Sequence, residues 1–179
     1  MNGPIWVFGY GSLLWNPGFE VAEQQIARLD DYQRSFCMRS IHHRGTQEKQ
    51  GLVLALDEMK GAFCDGLALK VAAEHTEATI AYLRERELIS SAYLEEWVDL
   101  DLTDGRRVKA VAYVIDPNHI QYCGGIDLEE QAQQIAFAVG QKGPNTEYLY
   151  ATADHLNEIG LSDHDMNWLV TRVREIVAT

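Results

Sequence analysis

Two glycines flank a tyrosine in Gly9-Tyr10-Gly11, just after a short apolar run and just before Ser12-Leu13. Glycine lets the backbone turn sharply and lets a ligand come close to the amides. Successive N–H groups in such a turn can form a nest for an anion. The same residues also make an ordinary tight turn, and the spacing alone leaves both readings open. If Gly11 takes a positive φ, a β-branched side chain there is strained. The motif is not a dinucleotide fingerprint, because Leu14 stands where the third glycine belongs, and no Gly-Lys-Ser/Thr follows to make a Walker loop.

A second chemical candidate is Glu87. At helical spacing Ile80, Leu83 and Glu87 fall within an arc of roughly 60°. A carboxylate in register with an apolar stripe is either the fringe of that stripe or a buried acid. Burial would raise its pKa and suit it to general-base work near neutral pH. Glu85 falls on the far side and reads as a surface charge, while Arg84 and Arg86 are available to pair with either acid. His42-His43-Arg44-Gly45 could bind an anionic group or form a polar loop. Adjacent histidines on an extended segment point in opposite directions and are poor co-ligands for one metal. His75, His119, His155 and His164 are scattered and read as structural or surface residues. In Gly143-Pro144-Asn145-Thr146-Glu147-Tyr148-Leu149, a helix start offers free N–H groups, and Tyr148 on its first turn could point a hydroxyl into a cavity. No GxSxG is present, and no cysteine stands out as an activated nucleophile.

These residues need elements to hold them. Ile5 to Tyr10 reads as a buried strand ending in the glycine turn. Further strands are expected over 28–39, 52–56 and 62–71, with a turn at Asp57, Lys60 and Gly61 between the last two. A helix is expected over 73–89. Alternation predicts a strand over 94–102, and Asp104-Gly105 predicts a two-residue hairpin into a strand over 107–115. Asp127 opens a helix closed by Gly140, and Asn145 caps a helix that runs to about Glu158. Asp163 starts a last helix carrying Met166, Leu169, Val170, Val173 and Val177 on one face. Strands come first and helices mostly last, which favours α+β over a doubly wound sheet.

The chain has 179 residues, of which 46% are apolar and 23% charged, the composition of a globular protein. About 70% of the unfolded surface can be buried at this size, so no disulfide or metal staple is required. With 15 basic against 27 acidic residues the formal charge is −12. That argues against nucleic acid and anionic lipid as partners. It leaves room for an anionic small molecule at a locally positive site. Cys37, Cys64 and Cys123 are odd in number, far apart and without CxxC or Cys/His spacing, so neither structural zinc nor a disulfide framework is expected. The N-terminal residues lack a basic n-region, and no apolar run approaches the ~18 residues of a membrane helix. A cytoplasmic location is expected.

Trp6-Val7-Phe8-Gly9-Tyr10-Gly11-Ser12-Leu13-Leu14-Trp15 closely resembles the N-terminal signature of the ChaC family of γ-glutamylcyclotransferases. Four shorter matches follow in the family's order: His43-Arg44-Gly45, Tyr82-Leu83 with Arg86-Glu87, Tyr93, and Asn145-Thr146-Glu147-Tyr148-Leu149. The resemblance covers nearly the whole chain. It implies a single domain over 1–179, built as a compact mixed β-barrel with surrounding helices and a helical C-terminal third. It makes Glu87 the catalytic base and the turn of Val7, Phe8, Gly9, Tyr10, Gly11 and Ser12 the γ-glutamyl site, with Tyr148 as a further substrate-binding residue. The family often has lysine directly after that glutamate. Leu88 here, and the spacer 88–92, bear on the shape of the substrate entrance. The implied activity converts glutathione to 5-oxoproline and cysteinylglycine with no cofactor and no metal. Two other readings stand beside it: turnover of another γ-glutamyl amide, and a non-catalytic regulatory or binding protein linked to cation transport. A pure binder has no use for a buried carboxylate, so Glu87 separates the last reading from the first two.

Overall fold

A computed structural model describes residues 2–179 as two compact units. The first holds the chain up to Arg34 and from Leu56 to His119; the second holds Ser35–Ala55 and Ile120–Thr179.

The first unit is built on a closed barrel. Its strands are β1 (Ile5–Gly9), β2 (Glu23–Ser40), β3 (Gly51–Val71), β4 (Tyr93–Leu102) and β5 (Arg107–Ile115), in the order β1-β3-β2-β4-β5. β2 and β3 continue beyond this unit into the second. β1 runs antiparallel to β3, with Val7 opposite Leu69, and closes the barrel by pairing parallel to β5, with Trp6 opposite Ala110. Alternate residues fill the core: Trp6, Phe8 and Tyr10 from β1 and its end, Val98, Leu100 and Leu102 from β4, and Ala110, Ala112 and Val114 from β5. Alanines on β5 leave room for the large rings on β1, the small-against-large pairing of a filled barrel. Ile5 and Val7, on the other face of β1, are buried too, so the strand reads as a continuous apolar run.

After β3 the chain makes a single 3₁₀ turn, Ala73–His75, and then helix α1, Thr76–Glu87. The predicted helix therefore starts with a tighter turn and ends two residues early, at Glu87, and Ser91 in the turn that follows takes a left-handed φ of +55°. The buried face of α1 carries Thr76, Thr79, Ile80 and Leu83.

The two strands expected over 52–56 and 62–71 are one strand of 21 residues. Gly61 does take a positive φ, +87°, but it does not reverse the chain. Its N–H is held by the carboxylate of Asp31 on the neighbouring strand, itself at φ +66°, so the irregularity is absorbed as a bulge. Likewise β2 is longer than expected at both ends. The β4–β5 hairpin lies where Asp104-Gly105 puts it, with Gly105 at φ +93°. Four residues, Thr103 to Arg106, separate the two strands, not two, and Leu102 N–H donates to the Arg106 carbonyl.

The second unit packs three helices against one another: α2 (Leu128–Phe137), α3 (Asn145–Glu158) and α4 (His164–Ala178). A two-residue hairpin, β6 (Val139–Gly140) with β7 (Gly143–Pro144), joins α2 to α3. Gly140 lies in that hairpin, and α2 ends earlier, at Phe137. Asp127 and Asp163 cap α2 and α4 as expected, accepting from the N–H groups of Glu130 and Met166. Asn145 is not the cap of α3. It is the helix's first residue, fully buried, with its amide bonded to both the N–H and the carbonyl of Leu52 at 2.8 Å. The side chain acts as a strand partner for the start of β3. Among the described residues no helix is long and apolar enough to cross a membrane.

Replacing Asn145 by alanine leaves two buried backbone groups of Leu52 unbonded, at about 1–3 kcal/mol each. Denaturant unfolding should show a loss of about 2–5 kcal/mol for Asn145→Ala, against less than about 0.5 kcal/mol for exposed Asn157→Ala. Equal midpoints for the two variants would remove this role from Asn145.

Candidate active site

β1 delivers Val7, Phe8 and Gly9 to the barrel's end, where the chain bends through Tyr10 and Gly11 into a 3₁₀ turn, Ser12–Leu14. Two close approaches fix this bend. A Cβ on Gly66 of β3 would lie 2.3 Å from the Gly9 carbonyl oxygen, and one on Gly9 would press on Leu13 at 3.3 Å. Gly66 therefore lets β3 lie against the mouth of the turn. Gly11 does not take the positive φ considered for it. Its φ is −135°, and a Cβ there would meet nothing within 4 Å. Space beside the turn, not left-handed geometry, distinguishes this position.

Tyr10 is pinned at both ends. Its phenol donates to the Tyr113 carbonyl at 3.0 Å, and its own carbonyl accepts from Arg34 Nε at 2.7 Å. Arg34 also donates to the Asp65 carbonyl. In a trans peptide the C=O and the following N–H point to opposite sides. With the Tyr10 carbonyl held by Arg34, the Gly11 N–H is turned away from that guanidinium. The Gly11 carbonyl in turn accepts from Leu14 N–H at 2.9 Å, which orients the Ser12 N–H by the same rule.

Glu87 is the last residue of α1, and its side chain keeps only 17% of its exposure. Glu85 is exposed, as the helical arc requires. Burial pushes the Glu87 carboxyl above the ordinary carboxylate range, and the Arg86 guanidinium, 3.4 Å away, pulls against that shift. Arg86 Nη2 donates to Ser12 Oγ at 2.9 Å, and Nη1 to the carbonyls of Asn16 and Pro17 at 2.7 and 3.2 Å. The glycine turn and Glu87, more than 70 residues apart in sequence, are thus joined through one side chain. Arg84 takes the other direction. It pairs bidentately with Glu95 at 2.9 Å, and Glu95 accepts from the Tyr113 phenol at 3.1 Å, the residue opposite it in the β4–β5 ladder. Burial, and then the Glu95 charge, hold the Tyr113 phenol strongly in its neutral form, with Glu87 adding to the effect.

The remaining candidates belong to the second unit, apart from Tyr93, which opens β4 opposite Ile115. The Tyr148 oxygen accepts from Leu54 N–H at 3.2 Å, and its ring meets Phe36 edge-on. Arg44 lies over that ring at 5.7 Å and donates to the Pro144 carbonyl. The carbonyls of His42 and His43 accept from Gln141 and Lys142, which clips the loop to the β6–β7 hairpin. Gly45 has no room for a side chain, since a Cβ would lie 2.2 Å from Gly51 N. His43-Arg44-Gly45 therefore has a structural job within its unit. The residues that the motifs did not reveal are Arg34, Gly66, Glu95 and Tyr113. A lone glycine inside a strand was a usable signal for Gly66; the other three have no local one.

The family profile for ChaC-like proteins matches residues 5–176. The glutathione-specific γ-glutamylcyclotransferase of Escherichia coli is 38% identical over 177 residues, 99% of this chain and 76% of that protein. The human glutathione-specific γ-glutamylcyclotransferase 1 is 32% identical, over 90% of this chain and 73% of its own length. A crystal structure of the yeast γ-glutamyl cyclotransferase specific to glutathione superposes with a TM-score of 0.86 at 22% identity, covering 97% of each chain; this likeness speaks to the fold. With a near-complete profile match, a shared barrel and relatives above 30% identity, the chain belongs to the ChaC-like family.

Proposed function

We propose that this protein is a glutathione-specific γ-glutamylcyclotransferase that releases 5-oxoproline and cysteinylglycine. The observation that carries the reading is a carboxylate shielded from water, Glu87, tied through Arg86 to a glycine turn at the end of β1. The relatives bearing that activity by name support the substrate.

The reaction is an intramolecular aminolysis. The α-amine of the γ-glutamyl group attacks its own γ-carbonyl and closes a five-membered lactam. Glu87 takes a proton from that nitrogen and returns one to the cysteinyl nitrogen as the C–N bond breaks. Val7, Phe8, Gly9, Tyr10, Gly11 and Ser12 form the γ-glutamyl site, where backbone N–H groups hold the α-carboxylate or the developing oxyanion. Holding the folded arm with amine and carbonyl ~3–3.5 Å apart supplies much of the rate, because both reacting groups belong to one molecule. Tyr148 is a further substrate-binding residue in this scheme. Residues 1–179 act as a single domain, since β2 and β3 run through both units. The cytoplasm is the location this reading favours, with Cys37, Cys64 and Cys123 buried as thiols.

Pure protein incubated with glutathione should yield the two products in equal amounts; absence of 5-oxoproline with an intact fold sinks the proposal. Glu87→Gln should lose ~10²–10⁴-fold in kcat, and Glu85→Gln should lose little. The raised carboxyl also fixes a sign for stability. Glu87's favourable contribution is present at low pH and is lost as pH rises through its folded-state value, so ionised Glu87 costs stability at neutral pH. Glu87→Gln should therefore melt no lower than wild type at pH 7, which a thermal scan checks. In the wild type, kcat/KM should fall on the acid side at a pH above the ordinary carboxylate range, because only ionised Glu87 accepts the proton. Proton transfer through Glu87 calls for no metal, so activity should persist in EDTA; loss on chelation with recovery on adding a metal would refute the mechanism.

A further inference from the structure

We propose that Arg86 is the positioning residue of this reaction, holding the glycine turn and the Glu87 carboxylate in one fixed relation so that substrate bound on the turn meets its base. The inference rests on the reading of Glu87 as the acid–base group.

Four-fifths of the Arg86 side chain is buried. Its guanidinium reaches both ends of one loop: Ser12, where the 3₁₀ turn begins, and Asn16 and Pro17, where the chain leaves it. The Tyr82 hydroxyl, one helical turn earlier, lies 3.2 Å from Nη1. That same hydroxyl fills the space a Cβ on Gly18 would need, 2.0 Å away, and Gly18 itself sits at φ +76°. The segment from Ser12 to Gly18 is therefore moulded over Tyr82 and Arg86. The remaining edge of the guanidinium, Nε, faces Glu87 at 3.4 Å. A planar group with five donors can serve the hydroxyl, two carbonyls and a carboxylate together. A lysine ammonium carries the same charge at one point and cannot span them.

Two effects on catalysis follow. The loop's position relative to Glu87 is set by the fork, and its charge offsets the burial of Glu87. The charged group that acts on Glu87 is Arg86 from α1; Glu87 itself bears on the Tyr113 phenol of β5, which Glu95 of β4 engages and Arg84 holds through Glu95. Tyr113 stays neutral, so Arg86 is the cation whose removal changes the proton affinity of the base. A mere strut would give a different signature: a lower melting temperature, with normal kinetic constants in the folded fraction.

The test uses the full chain with glutathione and three variants, Arg86→Lys, Arg86→Gln and Ser12→Ala. Arg86→Lys should keep the acid limb of kcat/KM near its wild-type pH while kcat falls about 10²-fold, the cost of misplacing reacting groups by about an ångström. Arg86→Gln should show the same fall and move the acid limb upward by about one pH unit, because the opposing charge is gone. Ser12→Ala, which removes a single acceptor, should raise KM and leave the limb in place. Carboxyl-carbon NMR titration of Glu87 in wild type and Arg86→Gln reads the same upward shift without turnover. A wild type that titrates as described but makes no product sinks the enzymatic reading and not the tie between Arg86 and Glu87. Wild-type kcat and KM in Arg86→Lys, or an unmoved Glu87 titration in Arg86→Gln, overturns the positioning role. If Arg86→Gln does not fold, the Arg86→Lys and Ser12→Ala kinetics still decide the matter.

Discussion

The contact between the Glu87 carboxylate and the Arg86 guanidinium is the interaction on which the chemistry proposed for the first unit turns. A carboxylate taken out of water prefers to be protonated, and a neighbouring cation prefers it charged. Here the two tendencies oppose each other, with burial the larger. The result is an acid that holds its proton more firmly than a surface glutamate. That balance requires burial of the end of a helix, and it requires a guanidinium that is itself supplied with acceptors. Asn16, Pro17 and Ser12 supply them, so the loop after β1 stabilises the cation that moderates the acid.

The barrel supplies the rigidity behind this arrangement. Tyr10 is fixed through its hydroxyl to β5 and through its carbonyl to Arg34 of β2. Arg84, two residues before Arg86, reaches across to Glu95 of β4, whose other partner is Tyr113. The turn and the end of α1 are thus connected twice, directly by Arg86 and indirectly through Tyr10, Tyr113, Glu95 and Arg84. Charge-assisted bonds to Glu95 also keep its carboxyl below the usual range, the reverse of Glu87. Two glutamates eight residues apart are driven in opposite directions by what each touches.

Much of this was legible where the physics is local. The face carrying Glu87 follows from helical spacing, and the strand-then-turn at residues 5–12 follows from β-branched residues and glycines. The barrel was readable only through the motifs' resemblance to a known family, because closure depends on pairings such as Trp6 with Ala110 that no local window contains. Arg34 and Tyr113 were invisible for the same reason, since each acquires its role from a partner distant in sequence. Asn145 shows how a sound local rule is overridden: an asparagine after proline suits a helix cap, but Leu52, 93 residues away, claims its amide. Gly61 suits a turn between two strands by type, yet the strand runs through it, because Asp31 on the adjacent strand completes the bulge.

The two long strands carry a consequence for how the chain reaches this state. Neither unit is a continuous stretch: the first resumes at Leu56 after a gap, and the second draws on Ser35–Ala55 as well as Ile120–Thr179. The residues of β2 and β3 beyond the barrel are synthesised long before the three helices that complete their unit. Leu52 waits for Asn145 across more than half the chain, and loop closure over such a span is slow because its entropy is lost before the contact forms. An apolar, incompletely covered pair of strand ends would persist during that interval, the kind of surface on which newly made chains associate. For this fold, the vulnerable period in biogenesis is the one between the finished barrel and the arrival of α3.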